Sequence, residues 1–219
     1  MTPLKSESSL LSASNILGST NHLTRVTGKS GTLFPSLCSQ TDDIPSKLRQ
    51  SAIHEAAHTA MATLIRRGII QEVFISETAV DVTDIDDMCD EFNTTVQGLT
   101  GGVRFHRMQT TVFENGLIAY SGFFAECENI FRSGIELEPL LPQLREQASH
   151  DIDRFHALLT SEGLTAGEIQ SVVIDIGSVL KHYFDNGVWE QIVTVAEALL
   201  ERRRLTGEEV LELLPAPPD

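Results

Sequence analysis

Apolar positions recur at helical spacing along most of this chain, with two short interruptions that alternate like strands. Leu48, Ala52, Ala56, Ala60 and Leu64, flanked by Ile53, Ala57, Met61 and Ile65, form one broad apolar face. Asp42-Asp43-Ile44-Pro45 offers a cap and a first-turn proline, and Gly68 offers a stop, so the pattern predicts a helix from about Asp43 to Arg67. Glu72-Val73-Phe74-Ile75-Ser76 follows that glycine and is rich in strand formers. Gly101-Gly102-Val103-Arg104-Phe105-His106 reads as a second short strand entered by a glycine turn. Helical periodicity then returns from Thr111 to Phe131, Pro142 to Thr160, Glu168 to Phe184 and Val188 to Arg203. Thr206-Gly207-Glu208-Glu209 is a capping box that opens a last helix to Leu214, ended by Pro215. The expected fold is mainly α, with a small β element beside the first helix and a C-terminal helical bundle.

Before that first helix the period is lost. Residues 1–42 are rich in Ser and Thr, poor in aromatics and unable to offset their ordering entropy, which predicts a disordered tail. The segment is short of acids, as transit peptides are, but Arg25 is its sole arginine and it assigns no organelle. Residues 43–215 are the expected folded domain, and 216–219 a short Pro-rich tail. Gly28-Lys29-Ser30 resembles the end of a phosphate-binding loop, yet Leu23 stands where the loop needs glycine.

Composition narrows the partners. The chain has 219 residues, 41% of them apolar, enough for a core without staples. Cys38, Cys89 and Cys127 are an odd, scattered set, so no disulfide framework is expected and a cytoplasmic location is the simplest. No apolar run approaches the ~18 residues of a membrane span. A formal charge of -15 argues against a nucleic-acid partner, because neutralising phosphates takes basic patches. From Gly68 through Val103 there is no Lys or Arg, and the acids from Glu77 to Glu91 read as a solvated loop without the spacing of an EF-hand.

The candidate chemistry lies on the first helix. Ala52-Ile53-His54-Glu55-Ala56-Ala57-His58 contains His-Glu-x-x-His, which puts two imidazoles on one helical face about one turn apart. Such a pair can grip one Zn2+, with Glu55 beside it to take a proton from water. A catalytic zinc usually has a third protein ligand. Glu126, Glu128, His106, His150, His156 and Asp151 are all candidates, and spacing alone does not rank them.

These pieces resemble, in order, the peptidase domain of the FtsH family of ATP-dependent zinc proteases. The metal helix is followed by Gly122-Phe123-Phe124-Ala125-Glu126, then Ala148-Ser149-His150-Asp151-Ile152-Asp153-Arg154, then Trp189 and Leu205-Thr206-Gly207-Glu208-Glu209. The likeness spans roughly residues 45–214, without the family's ATPase and membrane segments. Ala57 stands where the family carries glycine, and His150 where it carries a small or amide residue. The resemblance implies that Asp151 is the third ligand and that Glu126 orients a histidine. It also implies a zinc endopeptidase acting on unfolded or loosely structured polypeptide, without ATP by itself, as a homo-oligomer or beside a separate unfoldase. The strand of Gly102, Val103, Arg104 and Phe105 would pair with the extended substrate. Tyr120, Arg104 and His106 are candidates to stabilise an oxyanion. A non-catalytic, zinc-stabilised peptide-binding protein and a peptidase with one specific partner are the competing expectations.

Overall fold

The computed structural model describes residues 47–82, 96–106 and 110–214. The expected tails, the cap at 42–45 and most of the acidic stretch lie outside the described residues. The fold is mainly α with a small three-stranded antiparallel sheet, as the periodicity predicts.

Helix α1 (Lys47–Ile65) is the hub of the described residues. It packs against α2 (Val112–Arg132), α6 (Trp189–Arg202) and strands β1 (Ile70–Val82) and β2 (Val96–Phe105). Neighbours on so many sides bury more than one face: His54, Glu55, His58, Thr59 and Thr63 are as enclosed as Ala52, Ala56 and Met61. With Gln50, six polar side chains of this helix are buried, which is costly where no partner is found, so these residues are the informative ones. The run of alanines leaves the neighbouring elements room to approach them.

The sheet has the order β2-β1-β3, with β3 (Arg204–Thr206) added antiparallel to β1. Val73 and Ile75 face Val103 and Gly101 across the ladder and line the core side. On the other side Glu72 bridges Arg104 of β2 and Arg204 of β3, at 3.0 and 2.8 Å. β3 is absent from the periodicity because three residues carry too little pattern. It forms because Arg203 ends α6 in the left-handed region, φ 68°, and its carbonyl accepts the Ile75 N–H. Gly101 and Gly102 lie inside β2, opposite Ile75 and Phe74, and not in the expected turn before it.

The helix expected from Pro142 to Thr160 is two helices, α3 (Leu141–Gln147) and α4 (Ser149–Ser161), after a 3-10 turn at Glu138–Leu140. Ala148, buried with ψ near 8°, breaks the regular hydrogen-bonding geometry between them. The apolar repeat runs on through the joint, which is why it reads as one helix. Helix α5 (Ala166–Tyr183) passes into α6 through a kink at Phe184–Val188, where Gly187 takes φ 101°. Helix α7 (Gly207–Leu213) closes the chain's described part and packs on β1.

Candidate metal centre

Three side chains from two elements distant in sequence converge on one point. His54 and His58 project from the middle of α1, and Asp151 from the first turn of α4. The His54 Nε2 to His58 Nε2 distance is 2.9 Å, and Asp151 Oδ2 lies 3.2 Å from the first nitrogen and 3.5 Å from the second. Two donors of a tetrahedral zinc site, each about 2.05 Å from the ion, stand about 3.3 Å apart. The triangle therefore has the size that one small metal ion requires. His54, His58 and Asp151 could hold a metal ion.

The protonation chemistry gives an independent test of the fit. His54 Nδ1 is 2.5 Å from Glu126 Oε1, and His58 Nδ1 is 2.7 Å from the Ile118 carbonyl oxygen. Both partners are acceptors, so both Nδ1 atoms donate, and in neutral rings both Nε2 atoms carry lone pairs. Two lone pairs and a carboxylate oxygen then point at one another, which is repulsive until a cation or a proton sits between them. Burial disfavours a charged His54, but hydrogen bonds to Asp151 and Glu126 and the charges of Glu126 and Glu55 outweigh it and raise its pKa well above 6.5. Burial would push Asp151 up, but its bonds to His54 and His58 prevail and hold it far below the usual carboxylate range. The proton and a metal ion compete for the same place.

The supports of the triangle come from α2. Glu126 and the Ile118 carbonyl fix the two rings, and Ser121 Oγ donates to the same carbonyl at 2.7 Å. A carboxylate or carbonyl behind a ligating histidine fixes its ring and raises its basicity. Gly122 lets α2 come close enough. A Cβ there would stand 2.6 Å from His54 Nε2 and 2.7 Å from His58 Nε2, among the donor atoms themselves. A glycine inside a helix costs about 1 kcal/mol relative to alanine, which is the sequence signal that marks such a position.

Glu55, between the two histidines in sequence, is buried, and burial raises its carboxyl to about 7 against the pull of His54 and His58. Its neighbour across the site is β2: a Cβ on Gly101 would fall 2.7 Å from Glu55 Cγ and Oε1. Among the described residues β2 is an edge strand of the sheet, so Gly102, Val103, Arg104 and Phe105 lie on an edge.

The other candidates go elsewhere. Glu128 is buried but accepts from Arg132 Nε at 2.7 Å, and that guanidinium lies over the Trp189 ring at 4.7 Å. His156 Nε2 is 2.7 Å from the hydroxyl of Tyr120, whose pKa is raised by burial. His106 is exposed and pairs through Nδ1 with the Gln71 amide. His150 is exposed on α4. Glu126 meets the cluster through His54 and is not among the converging donors. Of the residues proposed for an oxyanion, Tyr120 serves His156, His106 serves Gln71, and Arg104 serves Glu72. Sequence reasoning did not reach Ile118, whose carbonyl acts through its backbone and leaves no trace in side-chain type. No helix among the described residues is long and apolar enough to cross a membrane. No protein-family model matches this chain, and no curated protein matches it.

Proposed function

We propose that this protein is a zinc-dependent endopeptidase of the FtsH-peptidase type, acting on unfolded or loosely structured polypeptide. The observation that carries the reading is the convergence of His54, His58 and Asp151 with a buried glutamate in the same helical turn. A purely structural metal has no use for Glu55, whose burial is costly. Two imidazoles and one carboxylate are a donor set suited to zinc, with a position left open.

Bound by these residues, zinc would supply Lewis-acid activation of water and of the scissile carbonyl. The protein's own groups carry the proton. Glu55, buried in the same helical turn as the two histidines, would accept a proton from the attacking water and return it to the leaving amine. Glu126 and the Ile118 carbonyl hold the imidazoles in the tautomer that leaves both Nε2 atoms free. The edge of β2 offers main-chain groups to an extended peptide, and recognition through backbone favours chains that are already unfolded.

The test is zinc content together with cleavage of a reduced, unfolded protein by the full chain. Wild type is expected to hold about one zinc and to cleave; Glu55→Gln should keep zinc and lose about 100-fold or more in rate. Asp151→Ala should lose both. Full activity in Glu55→Gln would rule out the hydrolytic mechanism, and stoichiometric zinc in Asp151→Ala would rule out the ligand assignment.

A further inference from the structure

The Glu55 carboxylate accepts no hydrogen bond among the described residues, although it is buried. A group that must take up a proton benefits from free lone pairs, but something else must then fix its position. The contact that does so is the backbone of β2. A Cβ on Gly101 would lie 2.7 Å from Glu55 Cγ, 2.7 Å from Oε1 and 3.0 Å from Cδ, so the glutamate side chain lies flat against the strand where no side chain intervenes. Gly101 is not among the glycines with positive φ, so its backbone conformation does not call for glycine. Its need is steric. The strand is held in place there from two sides: Gly101 pairs with Ile75 of β1, and the adjacent Thr100 hydroxyl is 3.1 Å from Ser51 Oγ, one turn before Glu55 on α1.

We infer that Gly101 is a positioning residue for Glu55. The strand that offers its edge to a peptide also sets, by van der Waals contact, where the general base stands. This rests on the endopeptidase reading for its kinetic consequence but not for its steric one. A displacement of about 1 Å in a reacting group costs on the order of 100-fold in rate.

Two double-mutant cycles test it on the full, zinc-loaded chain and on the metal-free chain. In the first, Gly101→Ala is expected to lower kcat about 100-fold with KM within about threefold and zinc retained, and to lower the residual rate of Glu55→Gln no further. Equal losses in both backgrounds, or an unchanged kcat, would overturn the inference, as would a loss confined to KM. The second cycle needs no activity. Gly101→Ala should lower the Tm of the metal-free protein, whereas in Glu55→Ala, where the space is vacated, the same change should leave Tm level or raise it, since alanine suits a strand better than glycine. Equal Tm losses in both backgrounds would also overturn it. If wild type cleaves nothing, the endopeptidase reading fails and the Tm cycle still decides the contact. Gly167→Ala, with open space around the added methyl, serves as the control that should change neither rate nor zinc content.

Discussion

Gly122 shows how much of the site depends on an atom that is missing. Alanine there would gain about 1 kcal/mol of helix propensity and at the same time set a methyl group between two imidazole nitrogens. Neither ring can step aside freely, because Glu126 and the Ile118 carbonyl hold their far sides. The clash should therefore win: Gly122→Ala is expected to keep its helical circular dichroism but bind well under one metal ion per chain by elemental analysis. Full occupancy would mean the rings can turn away. Glu126 gives a graded counterpart. Its replacement by Gln removes the charged acceptor behind His54 and should weaken metal affinity about 10- to 100-fold, read by competition with a chelator. At this scale the sequence is most explicit where residues are neighbours on one helix, as with His54, Glu55 and His58, since their geometry follows from 3.6 residues per turn. It is silent where the contribution is a main-chain carbonyl or an absent Cβ.

Helix boundaries are local too, and three of them carry the same device. Thr111 with Glu114, Thr165 with Glu168 and Thr206 with Glu209 form reciprocal capping boxes at the starts of α2, α5 and α7. The Thr-x-x-Glu spacing that marks α7 in the sequence thus marks two longer helices as well. Thr165→Ala is expected to cost about 1 kcal/mol in a denaturant titration. The pKa of each glutamate is lowered, chiefly by the backbone N–H of its cap threonine. A depressed folded-state pKa contributes stability above the unfolded value of 4.5 that is lost as pH falls through the folded one. Glu168→Gln should therefore reduce the loss of Tm on acidification below pH 4.5 without changing the midpoint's trend above pH 6. The elements that periodicity misplaces are those whose limits depend on neighbours. β3 exists because β1 offers it a ladder, and the α3–α4 joint exists because Ala148 is buried in a packed corner.

Across the folded unit, the candidate metal site ties α1 to α4 over a separation of 97 residues, with α2 as the support. In the metal-free protein the raised His54 pKa favours a proton in that place. The raised His54 pKa means its contribution to stability is complete below 6.5 and is lost as pH rises through its higher folded value; the lowered Asp151 pKa means its contribution is present above 3.8 and lost only in stronger acid. Metal binding must displace that proton. Titration calorimetry at pH 7 in buffers of different ionisation enthalpy should show about one proton released per zinc, and affinity should climb with pH. Zinc at 100 times its dissociation constant should add about 2.7 kcal/mol to the stability and raise Tm, an effect that Asp151→Ala should abolish. A pH-independent affinity would contradict the shared place of proton and metal.

The sequence by itself determined the α-rich architecture, the two longer strands and the His-Glu-x-x-His turn, because helical and strand periods are set by backbone geometry within a few residues. It also held the resemblance that singles out Asp151, but its own spacing left six candidate partners for the histidines. Only the tertiary structure separates them, by packing α2 and α4 on α1 so that Asp151 meets the two Nε2 atoms while Glu128, His106 and His156 turn to other partners and His150 stays exposed. It alone brought Gly101 onto Glu55 and Gly122 onto the histidines. Long-range proximity is a sum of many weak packing choices, and no single stretch of the chain carries it.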